Sequence, residues 1–358
     1  MSYCINPKCL VRQNPSDIAA CLACGTPLLI QQRYRLVQPL RELDELGQTE
    51  VFLTEDQGML KVLKVLKTPK LLKLFEREAK TLQQLQHSGI PRVEPDGFFS
   101  LSIHLVTYKH SLMLHCLVMQ KIEGQNLEQW LEQQGPISEA IAWQWLKQLV
   151  EILDVVHQHE LFHRDIKLSN IMLQPGGQLA LIDFGTAREV TNTYLAKVGS
   201  GREVTGIVSP GYTPLEQVNG KAVPQSDFYA LGRSFVYLLT GKHPIDLLED
   251  PQTGALNWRD AASQVSARLA DLIDDLMAPF PGQRPLNTQE ILQRLAPDFP
   301  SPQKPPSLAS PRLRWLIILN LCLFLLQLIT GFLWLQAKQQ QNWDSYRDRD
   351  LPLPAQVQ

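Results

Sequence analysis

Residues 163–185 read HRDIKLSNIMLQPGGQLALIDFG. Two short apolar runs, residues 171–173 and 179–182, flank the segment QPGGQ, a pattern that predicts a β-hairpin. The residue that enters the first strand of an antiparallel hairpin lies beside the residue that leaves the second, so we expect Asn170 and Asp183 to be neighbours. Asp, Asn and water oxygens are ligands that Mg²⁺ prefers, and the stretch therefore predicts a magnesium site.

Asp165 and Lys167 come shortly before this pair of predicted ligands. A carboxylate in that place can orient an incoming hydroxyl group, and an ammonium two residues further on can neutralise charge on a phosphoryl group in transfer. The stretch as a whole therefore predicts phosphoryl transfer. An acidic loop with a purely structural role is the alternative, and the agreement of order, hairpin and spacing argues against it.

The segments HRDIKLSN and DFG resemble the catalytic loop and the metal-binding loop of the eukaryotic-like (Hanks-type) protein kinases. The resemblance implies an α+β, two-lobed protein-kinase fold with a small β-rich lobe and a large helical lobe. It implies Asp165 and Lys167 as catalytic residues, and Asn170 and Asp183 as ligands of Mg²⁺ or Mn²⁺. The implied reaction transfers the γ-phosphoryl group of ATP to Ser or Thr hydroxyls of protein substrates.

The chain has 358 residues, enough for two or three structural units. Its 34 basic and 36 acidic side chains leave a net charge of −2, so overall electrostatics give no reason to expect nucleic-acid binding. Four of the six cysteines lie within the first 24 residues, and no secretory signal precedes them. This placement favours a metal site over disulfides.

Residues 1–30 are predicted to form a zinc-ribbon-like module. Its cysteines form two pairs, Cys4 with Cys9 and Cys21 with Cys24, a set that suits one tetrahedral Zn²⁺ ion. A segment this short buries little apolar surface, so a structural metal would have to supply its folding free energy. A redox-active pair of Cys21 and Cys24 is one alternative, and unligated thiols are the other.

A loop over the nucleotide phosphates is expected at the start of the small lobe. Kinases of this type have the pattern Leu-Gly-x-Gly-x-x-Gly-x-Val there, and the best match runs from Leu43 to Val51. Asp44 and Leu46 stand where the first two glycines are expected, which leaves Gly47 to provide backbone freedom. The resemblance implies nucleotide contacts at Gly47 and Val51, although Asp44 adds negative charge near the phosphates.

Four further residues are expected to hold the nucleotide. Lys64 lies in an alternating run that predicts a β-strand, and it resembles the phosphate-pairing lysine of the family. Glu78, on a predicted helix, resembles the glutamate that binds this lysine. The nearby Lys61 is expected to be solvated. Met119 resembles the gatekeeper at the hinge between the lobes, and Ile122 lies in the hinge segment that offers backbone groups to adenine.

The resemblance extends through the large lobe. Asp227, at the start of an apolar helical run, is expected to hold the backbone of the catalytic loop. Glu216 is expected to pair with Arg284 as a structural bridge. The polar segment 191–209 contains several Ser and Thr residues that are candidates for autophosphorylation. Ser209 matches the position that helps to recognise the acceptor hydroxyl.

The kinase domain is predicted to span residues 34–297, and a membrane anchor is expected after it. A Pro- and Ser-rich linker at 298–312 leads to 315–335, 21 residues without a charge, which at about 1.5 Å each can cross a hydrocarbon core of about 30 Å. A buried core helix is the alternative. The predicted protein crosses the lipid bilayer once, with its N-terminus and kinase domain in the cytoplasm and the tail 336–358 on the opposite side.

Two functions are compatible with these features. The first is a membrane-anchored Ser/Thr protein kinase in bacterial signalling, because the order of segments is similar to that of bacterial, especially cyanobacterial, four-cysteine kinases. The second is a pseudokinase scaffold that binds partners with weak or no phosphotransfer, a hypothesis based on the eroded glycine pattern. Retention of the whole set counts against the scaffold, because a pure scaffold needs no metal ligands; the set is Lys64, Glu78, Asp165, Asn170 and Asp183.

Overall fold

The computed structural model describes residues 1–43, 48–104, 111–186, 188–189 and 209–296. These residues form a cysteine-rich module, a small lobe built on a β-sheet and a large helical lobe. Several predictions lie outside the described residues. They concern Gly47 with the preceding Asp44 and Leu46, most of the segment 191–209, and everything from 297 onward.

The N-terminal module contains a short hairpin of β1 (Ser2–Tyr3) and β2 (Gln13–Asn14). The Sγ atoms of its four cysteines all lie within 4.8 Å of one another, and they belong to Cys4, Cys9, Cys21 and Cys24. Amide groups donate to two of these sulfurs, from Asn6 Nδ2 to Cys24 at 3.7 Å and from Asn14 Nδ2 to Cys21 at 3.5 Å. The two cysteine pairs of the sequence therefore meet in a single cluster.

A six-stranded antiparallel sheet forms the small lobe, in the order β3-β4-β5-β6-β8-β7. Its strands are β3 (Leu29–Ile30), β4 (Tyr34–Pro39), β5 (Thr49–Asp56), β6 (Met59–Leu66), β7 (Phe98–His104) and β8 (Ser111–Gln120), and helix α1 (Leu72–Gln84) follows β6. Side chains alternate between the two faces of a strand. Val62 and Lys64 consequently face the cleft between the lobes, whereas Leu63 and Val65 face the opposite side.

The cysteine module covers that opposite face of the sheet. Ile5 is 1% exposed and lies in one apolar cluster with Phe52 and Leu63. Beside it, the guanidinium of Arg12 donates two hydrogen bonds to Glu50, at 2.9 and 2.8 Å, and lies over the ring of Phe52. The module and the sheet therefore share one apolar core and one bidentate ion pair.

The large lobe is mainly helical. Its helices are α2 (Leu127–Gln134), α3 (Glu139–Gln158), α4 (Leu215–Val218), α5 (Pro224–Thr240), α6 (Ala267–Leu276) and α7 (Thr288–Leu295). Its strands are β9 (Gln125–Asn126), β10 (Leu161–Phe162), β11 (Ile171–Leu173), β12 (Leu179–Leu181) and β13 (Arg188–Glu189). The predicted hairpin is present, because β11 and β12 pair with Ile171 opposite Leu181. Helix α5 ends at Gly241, whose φ of 67° suits a residue without a Cβ.

The prediction of a single-pass membrane protein is wrong for the part of the chain that the structure describes. No helix there combines the length and the apolar character needed to cross a bilayer. The longest helix, α3, has 20 residues, but it carries four charged side chains, which are Glu139, Lys147, Glu151 and Asp154. The predicted span at 315–335, with the linker before it and the tail after it, lies outside the described residues.

Candidate active site

A cleft of about 470 Å³ lies between the small and the large lobe. One end is apolar, with Val51 and Val62 from the sheet, Met119 and Ile122 from the hinge, and Met172 from β11. In the hinge, the backbone N–H of Gln120 already donates to the carbonyl of Arg92 at 2.8 Å. The apolar walls suit a flat heterocycle, and most of the charged residues of the cleft lie at its other end.

Lys64, Glu78 and Asp183 meet at the charged end. Lys64 Nζ donates to both carboxylate oxygens of Glu78, at 2.9 and 3.0 Å, and to Oδ1 of Asp183 at 2.9 Å. Burial would lower the pKa of Lys64, but the two adjacent carboxylates raise it above its ordinary value. The positive charge of Lys64 in turn holds the pKa of Asp183 well below its usual range. Both groups are therefore charged at neutral pH.

The backbone around Asp183 fixes the direction of its carboxylate. Asp183 has φ of 68°, a left-handed conformation that is unfavourable for a residue with a Cβ. The next residue, Phe184, is buried against the ring of His163 at a centroid distance of 4.7 Å. At Gly185, a Cβ would lie 2.9 Å from Lys64 Nζ. Glycine at that position therefore permits the ion triad to form.

A second polar group is built on the catalytic-loop segment. Asn170 Nδ2 donates to Oδ2 of Asp165 and to its backbone carbonyl, each at 2.9 Å. Lys167 Nζ lies 3.0 Å from Oδ2 of Asp165, and Ser209 Oγ donates to the other carboxylate oxygen at 2.6 Å. Lys167 also donates to Ser209 Oγ at 3.2 Å. The carboxylate of Asp165 is thus held by three side chains.

The remaining atoms fit a divalent cation. Asn170 Oδ1 is buried and has no hydrogen-bond partner in the described part of the chain. A buried carbonyl oxygen without a partner is unfavourable unless a cation or a water satisfies it. The carboxylate of Asp183 lines the same cleft. An amide oxygen and a carboxylate are hard ligands suited to Mg²⁺ or Mn²⁺.

Asp227 supports the catalytic loop from helix α5. Its buried carboxylate accepts hydrogen bonds from the backbone N–H groups of His163 at 2.8 Å and Arg164 at 2.7 Å, and from His157 Nε2 at 2.9 Å. Burial would raise the pKa of Asp227, but these hydrogen bonds hold it below its ordinary value. Arg164 has φ of 70°, so Asp227 stabilises a strained backbone just before Asp165.

Asp227→Ala is expected to lower the free energy of unfolding by about 3 kcal/mol or more, because two buried N–H groups lose their acceptor at about 1–3 kcal/mol each. Urea unfolding of the full chain measures the change. Asp260→Ala, at an exposed position of the same lobe, is the control, with an expected change below about 0.5 kcal/mol. Equal stabilities of the two variants would contradict the role given to Asp227.

The structure brings most of the predicted site residues into the cleft. These are Val51, Lys64, Glu78, Met119, Ile122, Lys167, Asn170 and Asp183, and Asp165 is bonded directly to Lys167 and Asn170. The predicted bridge is also present, with Arg284 Nη1 donating to Glu216 Oε1 at 2.6 Å. The interpretation of Lys61 as solvated is wrong, because it is buried and pairs with Asp56 at 2.7 Å.

Leu40 and Arg41 are among the cleft residues that the sequence analysis missed. The N–H of Leu40 donates to the carbonyl of Val51 at 2.8 Å, and both residues line the cleft. The predicted match had placed Leu43 in this role, but Leu43 packs against the apolar cluster on the other face of the sheet. Next to Leu40, Arg41 Nη2 lies 3.2 Å from Oδ2 of Asp183. The signal available in the sequence was a second leucine three residues before Leu43.

Comparisons with known proteins agree with this geometry. The family model for the protein kinase domain matches residues 46–295. Serine/threonine-protein kinase F of Synechocystis sp. is 40% identical over 225 residues, which are 62% of this chain and 44% of the relative. Serine/threonine-protein kinase PknA of Nostoc sp. is 36% identical over 282 residues, 75% of this chain and 47% of the relative. Serine/threonine-protein kinase B of Synechocystis sp. is 31% identical over 312 residues, 82% and 52% respectively.

The chain spans about half the length of these curated relatives. The pseudokinase alternative finds no support among them, because all three are named as serine/threonine-protein kinases. The family model covers more than half of the chain, and Lys167, Asn170 and Asp183 of the two motifs line one cleft. The chain therefore belongs to the protein kinase family and is of the bacterial Hanks-type serine/threonine group.

Proposed function

We propose that the chain is an ATP-dependent protein kinase that phosphorylates Ser and Thr residues of protein substrates in bacterial signalling. The observation that carries the proposal is the meeting, in one cleft, of the Lys64–Glu78–Asp183 triad with Asp165 and Asn170. The triad offers a buried cation to nucleotide phosphates. The second group offers a carboxylate to an acceptor hydroxyl.

The apolar end of the cleft would bind the adenine ring. Leu40 and Val51 close it from above, and Met172 closes it from below. Met119 stands at the back, and the hinge backbone at Ile122 offers a hydrogen bond to the ring edge. The phosphates would then extend towards Lys64, whose ammonium is held in place by Glu78.

Asn170 and Asp183 would hold Mg²⁺ or Mn²⁺. When bound, such an ion draws charge from the phosphate oxygens during transfer. Asp165 would accept a hydrogen bond from the acceptor hydroxyl and take its proton as the new P–O bond forms and the bond to the β-phosphate oxygen breaks. Lys167, 3.0 Å from Asp165, would place its positive charge beside the group in transfer. The kinase resemblance associates lysine at this position with Ser/Thr acceptors.

Phosphotransfer from γ-labelled ATP to casein, with Mg²⁺ present, tests the proposal. The full chain is expected to give phosphoserine and phosphothreonine. Asp165→Asn is expected to reduce the rate by about 100-fold or more, because the amide cannot accept the proton. Asp260→Asn, at an exposed position, is the matched control and should retain the wild-type rate. Equal rates for wild type and Asp165→Asn would refute the enzymatic proposal.

We also propose that the four cysteines hold one structural Zn²⁺ ion. Thiolates about 2.3 Å from a tetrahedral ion lie about 3.8 Å apart. The recorded distances between sulfurs are 3.6 Å for Cys4 and Cys24 and 3.7 Å for Cys9 and Cys21. The amide groups that donate to two of the sulfurs are the kind of outer contact that supports bound thiolates.

A further inference from the structure

Arg41 is a cation at the charged end of the cleft that none of the kinase motifs includes. Its Nη2 lies 3.2 Å from Oδ2 of Asp183, while Lys64 binds the other oxygen of that carboxylate at 2.9 Å. The Arg41 side chain is 55% exposed, whereas that of Lys64 is 9% exposed. One carboxylate therefore holds a buried cation on one oxygen and a half-exposed cation on the other.

The position of Arg41 follows from the pairing of the strands. Leu40 is hydrogen-bonded to Val51 and lines the apolar end of the cleft, so Arg41 is the first residue of the segment that joins these two positions in the sequence. In the family pattern, the residue after this leucine is the first glycine. Here it is an arginine. In the sequence from 42 to 50 there are four acidic residues and no Lys or Arg, so Arg41 supplies the positive charge of this loop.

We propose that Arg41 binds the phosphates of the nucleotide and supplies the donors that a glycine-rich loop would otherwise provide. A guanidinium has five N–H donors in a planar fork that matches phosphate oxygens. Arg41 reaches the carboxylate that also holds Lys64, so it can reach a phosphate bound at Lys64. The inference rests on the proposed function, because it assigns a further contact to the same nucleotide.

The contact with Asp183 explains how the cleft stays neutralised without a nucleotide. Two carboxylates, those of Glu78 and Asp183, lie beside the two cations Lys64 and Arg41, so the four charges balance. With a nucleotide and its metal ion bound, Asp183 and Asn170 would hold the ion, and Arg41 would exchange the carboxylate for phosphate oxygens. The alternative is that Arg41 is only a latch that competes with the metal ion for Asp183.

Equilibrium binding of the full chain to two ligands separates these roles. The ligands are adenosine and the Mg²⁺ complex of an ATP analogue with an imido bridge between its β and γ phosphorus atoms. Arg41→Ala is expected to lower the affinity for the analogue by about tenfold or more, because a charge-assisted hydrogen bond is lost. Adenosine affinity should change by less than about twofold, since adenosine has no phosphate. Arg41→Lys should recover part of the loss, because lysine keeps the charge without the fork.

Arg259→Ala is the control, because Arg259 is an exposed arginine of the large lobe that pairs with Asp271 and Asp274. The affinity of the Arg259→Ala variant for both ligands should equal that of the wild type. An analogue affinity of Arg41→Ala that is unchanged or higher overturns the inference, and a higher one identifies the latch. In either case, wild-type binding of both ligands would leave the proposed function intact. A wild-type chain that binds neither ligand would overturn both proposals.

Discussion

Asp183→Asn is expected to slow phosphoryl transfer by about a thousandfold with Mg²⁺ present, while the chain remains folded. The carboxylate is one of two predicted ligands of the metal ion, and the metal supplies several kcal/mol of charge stabilisation during transfer. The amide has the same shape but no charge. It therefore binds the cation more weakly, and its oxygen can accept a hydrogen bond from Lys64 but cannot form an ion pair with it.

The fold should survive because the other contacts of the triad remain. Lys64 keeps both hydrogen bonds to Glu78, and Phe184 stays buried beside His163. The rate with γ-labelled ATP is measured over a series of Mg²⁺ concentrations, and circular dichroism monitors the fold. Asp96→Asn is the control, because it also removes a carboxylate that pairs with an arginine, on an exposed part of the small lobe. Activity of Asp183→Asn within tenfold of wild type would exclude Asp183 as the essential metal ligand.

The local features of the site were predictable from the sequence because their partners are close in the chain. Asn170 and Asp183 are joined by a hairpin whose two strands and turn are visible in the residue pattern. The pairing of Lys64 with Glu78 came from the family resemblance, since neither residue alone departs from an ordinary solvated side chain. In the structure, Val51 lies opposite Lys64 in the pairing of β5 with β6, so the two predicted nucleotide contacts are neighbours in the sheet.

The remaining features depend on contacts between distant segments. The alignment of the loop over the phosphates was three residues off, because a repeated leucine allows two registers and only the partner strand selects Leu40 over Leu43. Lys61 was predicted to be solvated because lysines usually are, but its ammonium forms ion pairs with Asp56 and Glu94. The membrane prediction rested on the length of one uncharged stretch, 315–335, which lies outside the described residues, and no described helix could span a bilayer.

Removal of zinc is expected to unfold the N-terminal module. Structural zinc sites contribute about 10–16 kcal/mol of binding free energy, as much as the whole stability of a typical domain. The module has little else to hold it together, since its separate core contains three of the four cysteines, Leu28 and few other apolar groups. No disulfide joins these four cysteines, so no covalent cross-link would hold the module in place of the metal.

The loss of stability after zinc removal should extend into the small lobe. Ile5 is part of the same apolar cluster as Phe52, and Arg12 binds the Glu50 carboxylate, whose side chain is 4% exposed. Removing the partner of a buried charge costs about 3–5 kcal/mol, although Lys67, 3.5 Å from Glu50, offsets part of it. Glu50 directly precedes Val51, which lines the cleft. Zinc loss is therefore expected to weaken nucleotide binding as well as to destabilise the sheet.

Metal analysis and urea unfolding before and after treatment with a chelator measure both effects. Chelator-free protein should contain one zinc per chain, and Cys21→Ser should lower the content to near zero. Cys116→Ala is the control, because Cys116 is buried in the sheet outside the cluster and its loss should leave the zinc content unchanged. Arg12→Ala keeps the four thiols. It should lower the stability of the small lobe without lowering the zinc content. If it does not, the Arg12–Glu50 pair is not the contact through which the module stabilises the sheet, and the packing of Ile5 against Phe52 is left to carry that influence.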